Sequence, residues 1–131
     1  MVVGVDAELD ESSVDDVSQT EDVIISQWRE LSTNEKHQYR GRVDEIFRPL
    51  GYETSLVVIR RANSIAMFFA CLTLSALTSL HGQWYKDELK DIVQSLCTFL
   101  SGASQTVRIK RLTWTQADYE RQLGFFNSVQ G

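Results

Sequence analysis

Residues 55–74 read SLVVIRRANSIAMFFACLTL, and how this stretch folds decides the architecture around it. Ser55 to Arg61 is rich in β-branched residues, the polar Ala62-Asn63-Ser64 follows, and a second apolar run extends from Ile65 to Leu74. Two such runs across a short polar gap predict a β-hairpin. In the second run Ile65, Met67, Phe69 and Cys71 point one way and Ala66, Phe68, Ala70 and Leu72 the other. Both sets are apolar, so this strand is expected to be central and covered on both faces. No formal charge occurs from Ala62 to Tyr85, and a run of that length must be weighed against the ~20 apolar residues of a membrane span. Thr73, Ser75, Thr78, Ser79 and His81 interrupt it, which favours a buried strand followed by a short helical connection.

Outward toward the C-terminus, Tyr85, Leu89, Ile92, Val93, Leu96, Phe99 and Leu100 recur at helical period among Lys86, Asp87, Glu88, Lys90 and Asp91. This predicts an amphipathic helix between Trp84 and Leu100, stopped by Gly102. Thr106 to Leu112 alternates, with Val107 and Ile109 on one face and Arg108 and Lys110 on the other, as a half-exposed strand does. Thr115 to Asp118 opens a last helix on which Tyr119, Leu123, Phe126 and Val129 share a face. Toward the N-terminus, Ser32-Thr33-Asn34-Glu35 offers a capping box for a helix over about 34–48, closed by Pro49 and Gly51. Before it, Thr20 with Glu21 and Asp22 reads as an N-cap with acids in the first turn, predicting a short helix near 21–30. The β-branched Val23-Ile24-Ile25 leaves a strand at 22–28 open.

The 131 residues suit a single domain with one core. The formal charge of −5 is unevenly spread: eight acids, from Asp6 to Asp22, precede the first basic residue, Arg29, leaving 13 basic against 10 acidic side chains after residue 22. Residues 1–19 are therefore expected to be a solvated, flexible acidic leader, with the domain spanning 20–131. The N-terminal MVVGVDAELD lacks the charge and apolar run of a secretory signal. With Cys71 and Cys97 inside apolar runs, the chain reads as reduced and cytoplasmic.

Chemistry is sparse. His37 and His81 sit near no ligand pattern, and no metal, phosphate-loop or nucleophile-elbow motif is present. No catalytic residue, metal or cofactor is expected. Arg108, Lys110, Arg111 and Trp114 instead form a basic stretch with an adjacent aromatic. That combination anchors protein interfaces, stacks and neutralises RNA, or merely discourages edge pairing of strands. We take these four residues as the candidate protein-binding site, with RNA binding as the alternative.

From Ser55 onward, and more loosely from residue 34, the chain resembles the N-terminal domain family of TRADD, the death-domain adaptor of tumour-necrosis-factor receptors. The resemblance is carried by IFRPLG, SLVVIRRANSIAMFFACL, DELKDIVQSLCTFL, TVRIKRL and ADYERQLGFF. It implies an α-β sandwich with a four-stranded antiparallel sheet, which favours a strand at 22–28; the residues alone give an α+β order with a three- or four-stranded antiparallel sheet, ferredoxin-like if 22–28 is a strand. It also implies a non-catalytic adaptor module in cell-death or innate-immune signalling that recruits a TRAF-type adaptor. The expected partner is a protein, that adaptor or a second copy, rather than nucleic acid or membrane.

Overall fold

The computed structural model describes residues 1–33, 40–102 and 106–130. In chain order the elements are strand β1 (Val2–Leu9), helices α1 (Val17–Thr33) and α2 (Arg40–Phe47), strands β2 (Thr54–Arg61) and β3 (Ile65–Cys71), helices α3 (Leu74–Tyr85) and α4 (Glu88–Leu100), strand β4 (Ile109–Thr113) and helix α5 (Gln116–Gln130). The strands form one antiparallel sheet in the order β2-β3-β1-β4. This is an α+β sandwich: the split β-α-β arrangement of ferredoxin-like folds, with extra helices. The predicted hairpin is β2–β3, with Arg61 opposite Ile65.

Residues 1–19 are not a solvated leader. Val3, Val5, Ala7 and Leu9 alternate with Val2, Gly4, Asp6 and Glu8, and the first set is fully or almost fully buried. This period-2 pattern makes β1 a strand between β3 and β4. Its acids do not oppose that, because Asp6 and Glu8 fall on the exposed parity. The domain accordingly includes the first residues, and the Met1 carbonyl accepts a hydrogen bond from the Cys71 N–H at 2.8 Å.

With the fourth strand supplied by 2–9, segment 22–28 is helical, as its primary reading had it. The helix is longer than expected and its cap lies earlier: the Asp16 carboxylate accepts from the Gln19 N–H at 3.1 Å, the N-cap geometry. The Thr20 hydroxyl donates to the Asp16 carbonyl at 2.8 Å. Buried Glu21 accepts from Arg61 Nη1 at 2.9 Å and from the Ser64 hydroxyl, fastening the β2–β3 turn to α1. Its carboxylate thus leaves water with two donors in place. The helix expected over 34–48 is α2 in its described part; Asn34, Glu35, His37 and Tyr39 lie outside the described residues. The helix expected over 84–100 is α4, and α3 precedes it, separated by a turn in which Asp87 adopts φ 64°.

The core lies on one side of the sheet. There Val3, Val5, Ile65, Met67, Phe69 and Ile59 meet Ile24 and Trp28 of α1, Leu77 and Leu80 of α3, and Leu89, Val93 and Leu96 of α4. β3 is central, but the expectation that it is covered on both faces is corrected. Phe68 and Ala70 are only half-buried, and Leu72, continuing their parity past the strand end, is 70% exposed. The helices that close a β-α-β-β-α-β chain fall on the same side, so apolar residues of the other parity stay at the surface.

Candidate functional site

Trp114, expected as a surface anchor, is 2% exposed. Its indole N–H donates to Gln122 Oε1 at 3.0 Å, within α5. The ring packs edge-on against His81 and Tyr119, while His81 stacks on Tyr119 with ring centroids 3.5 Å apart. Trp84 joins this group. Trp114 therefore docks α5 onto α3 and is unavailable to a partner. A Trp beside a helix start reads the same in sequence whether it anchors a partner or a helix of its own chain.

Arg108 and Lys110 are exposed, as expected, and Arg111 is exposed as well, although strict alternation would have put it on the face of Val107 and Ile109. Arg108 precedes β4 and is fixed through its backbone, its N–H donating to the Ser13 hydroxyl at 3.1 Å and its carbonyl accepting from the Asp10 N–H at 2.8 Å. Lys110 Nζ lies 3.8 Å from the Glu8 carboxylate, and Arg111 is registered opposite Glu8. A register shift beside Glu8 brings both basic residues to the same acid. Neither cysteine offers a nucleophile: burial pushes the Cys97 thiol up to about 12 and raises that of Cys71, so both are protonated at neutral pH. Among the described residues no three His, Cys, Asp or Glu side chains could hold a metal ion. No described helix is long and apolar enough to cross a membrane.

What the strands do bring together is a sheet face that no described helix covers, hereafter the uncovered face. Its rows follow from the register: Val2 beside Ala70, Gly4 beside Phe68 and then Val58, and Asp6 beside Ala66 and then Arg60. Thr113 and Arg111 extend it across β4. One end is apolar, with Val2 55% and Leu72 70% exposed around Phe68. The other end is charged, with Arg60, Asp6, Glu8, Lys110 and Arg111. The Arg60 guanidinium lies 5.7 Å from the Phe68 ring centroid, a cation–π contact linking the two ends. A Cβ at Gly4 would meet Phe68 Cε1 at 3.0 Å, so the Phe68 ring lies close over the Gly4 backbone and would have to shift to admit a side chain there.

The sheet edges are occupied differently. On β2 the Trp28 indole N–H donates to the Val57 carbonyl at 3.4 Å, and on β4 the Trp84 indole donates to the Leu112 carbonyl at 2.9 Å. Gln94 Oε1 accepts from the Ile109 N–H at 3.1 Å. Edge groups that would otherwise template pairing with another chain are thereby engaged by side chains.

Sequence reasoning missed Val2, Gly4, Asp6 and Glu8 because the acidic count of the first 22 residues outweighed their alternation. The alternating V-V-G-V-D-A-E-L was the available signal. Comparison with protein-family models, with curated proteins and with solved structures finds no match for this chain.

Proposed function

We propose that the chain is a non-catalytic protein-interaction module that binds its partner on the uncovered sheet face. The observation that carries this reading is the exposure of Val2 and Leu72 on the parity of half-buried Phe68, bordered by Arg60, Lys110 and Arg111. Apolar residues grouped at the surface and rimmed by charge mark binding sites in monomeric domains. The resemblance to TRADD-type N-terminal domains supports an adaptor role in cytoplasmic cell-death or innate-immune signalling, with a TRAF-type adaptor as partner. Of the residues singled out from sequence, Lys110 and Arg111 belong to the basic rim, and Trp114 to the scaffold beneath it.

RNA is the second reading, favoured by an aromatic on a central strand with an arginine over it. Asp6 and Glu8 on the same face oppose it, since they repel a phosphate backbone. The test is capture of a purified TRAF-type adaptor by the immobilised chain. Val2→Glu and Leu72→Glu together should abolish capture, whereas Arg108→Glu should leave it within about twofold, because rim charges change affinity little. Capture unaffected by the double apolar change would place the binding surface elsewhere. Salt-dependent retention of single-stranded RNA, lost with Phe68→Ala, would replace this reading by the RNA one.

A further inference from the structure

Three registered rows of the uncovered face each pair a larger residue with a smaller one across β1 and β3: Val2 with Ala70, Phe68 with Gly4, and Asp6 with Ala66. The larger member alternates between the two strands, on β1 in the outer rows and on β3 in the middle one. A surface of this kind has a particular complement. A two-fold axis running along the strands, between β1 and β3, lays β3 of one copy over β1 of the other and β2 over β4, row on row. In the outer rows Val2 and Asp6 then each meet an alanine, while in the middle row Phe68 already leans over its own Gly4 and the two copies' rings face each other.

We infer that the face pairs with a second copy of this chain about that axis, an inference that rests on reading the face as a protein-binding surface and names its occupant. Closed pairs need a patch that is its own complement, and three observations supply one. Size matches as above. The Phe68 ring leans over Gly4, toward the axis, so the two copies' rings meet offset at the centre of the contact, the arrangement aromatic pairs prefer. Charge matches too. Arg60 and Asp6 flank Ala66 in one row, with Thr113 beyond Asp6. The axis sets Arg60 above the second copy's Thr113, one strand from its Asp6. Arg60 already reaches inward over Phe68, and its guanidinium can span one strand spacing of ~4.8 Å. Two such cross pairs form by symmetry.

Edge-to-edge pairing, the other way in which two sheets associate, is opposed by the Trp28 and Trp84 indoles on the edge carbonyls. The twist of each sheet rotates the strands of two packed faces by about 30°, which confines close contact to the central rows. Four strands and these rows cover roughly 400 Å² per copy, so the pair lies below the ~1,200 Å² total of standard stable interfaces. It is therefore a weak dimer, set by concentration, and it occupies the same face as a partner protein.

Sedimentation equilibrium of the full chain from about 10 μM to 1 mM tests this, the range being chosen for a weak interface. Wild type should pass from monomer to dimer and stop there. Arg60→Asp and Asp6→Arg, each alone, bring like charges together at both cross pairs and should weaken association at least tenfold. Their equimolar mixture makes both cross pairs opposite again and should recover the wild-type value. Val2→Glu, at an exposed position independent of the charge pair, should also weaken it. A wild-type chain still monomeric at the highest concentration overturns the inference, as does a mixture that associates no better than either variant by itself. A monomeric chain whose adaptor capture is nonetheless lost with the Val2/Leu72 changes would keep the protein-binding face and remove only the second copy. Dimerisation with the predicted charge dependence but without adaptor capture would do the reverse.

Discussion

Phe68 and Phe69 are neighbours in sequence with opposite environments. Phe69 is completely buried between the sheet and the helices, whereas Phe68 lies on the uncovered face beneath Arg60. Phe69→Ala should cost about 3–5 kcal/mol by denaturant unfolding, since it empties a packed site. A loss under about 1 kcal/mol would contradict the placement of the core. His81 gives the fold a pH dependence of known sign. Burial holds its imidazole below the ordinary value, and its Nε2 finds no hydrogen-bond partner among the described residues. In the unfolded chain it titrates near 6.5. Below that pH, and above the lower folded value, the unfolded chain binds more protons, so stability is lost as pH falls and regained as it rises. The melting temperature should therefore drop between about pH 7 and pH 5.5. The drop should be smaller in His81→Phe, which keeps the stacking on Tyr119 and removes the titration. Identical pH profiles for the two proteins would show that His81 carries no linkage.

The hairpin β2–β3 and the amphipathic helix α4 were legible in sequence because their patterns are long and their polar and apolar positions separate cleanly. The α+β class followed from them. β1 was hidden by a different physical effect: charge density predicts solvation only when the charges lack a solvent-facing side to occupy, and alternation gives Asp6 and Glu8 that side. The candidate site was half legible for the same reason. Lys110 and Arg111 were visible as exposed bases, but their acidic neighbour Glu8 and the apolar Val2 reside on the strand that was overlooked. Trp114 failed as an anchor because its role depends on His81 and Tyr119, distant in sequence or on another element. Deleting residues 1–9 removes a strand flanked by β3 and β4, with four side chains that are almost completely buried. The truncated chain should lose cooperative thermal unfolding by circular dichroism, and an unchanged melting temperature would return this segment to the status of a leader.

Among the described residues of the whole molecule, one side of the sheet packs against α1, α3 and α4 and each edge strand accepts an indole hydrogen bond, while no described helix covers the other face. On the proposed reading, that distribution directs association to the face, whether the occupant is an adaptor or a second copy. All of it depends on β1 lying in the sheet, for β1 supplies Val2, Gly4, Asp6 and Glu8 and separates β3 from β4. Peptide-level hydrogen exchange of the intact chain measures this without any substitution. The peptide spanning residues 2–9 should exchange as slowly as the one spanning 65–71, because strands paired within one sheet open together. Exchange of residues 2–9 at the rate of an unstructured peptide, with 65–71 protected, would contradict the four-stranded sheet and the binding face built on it.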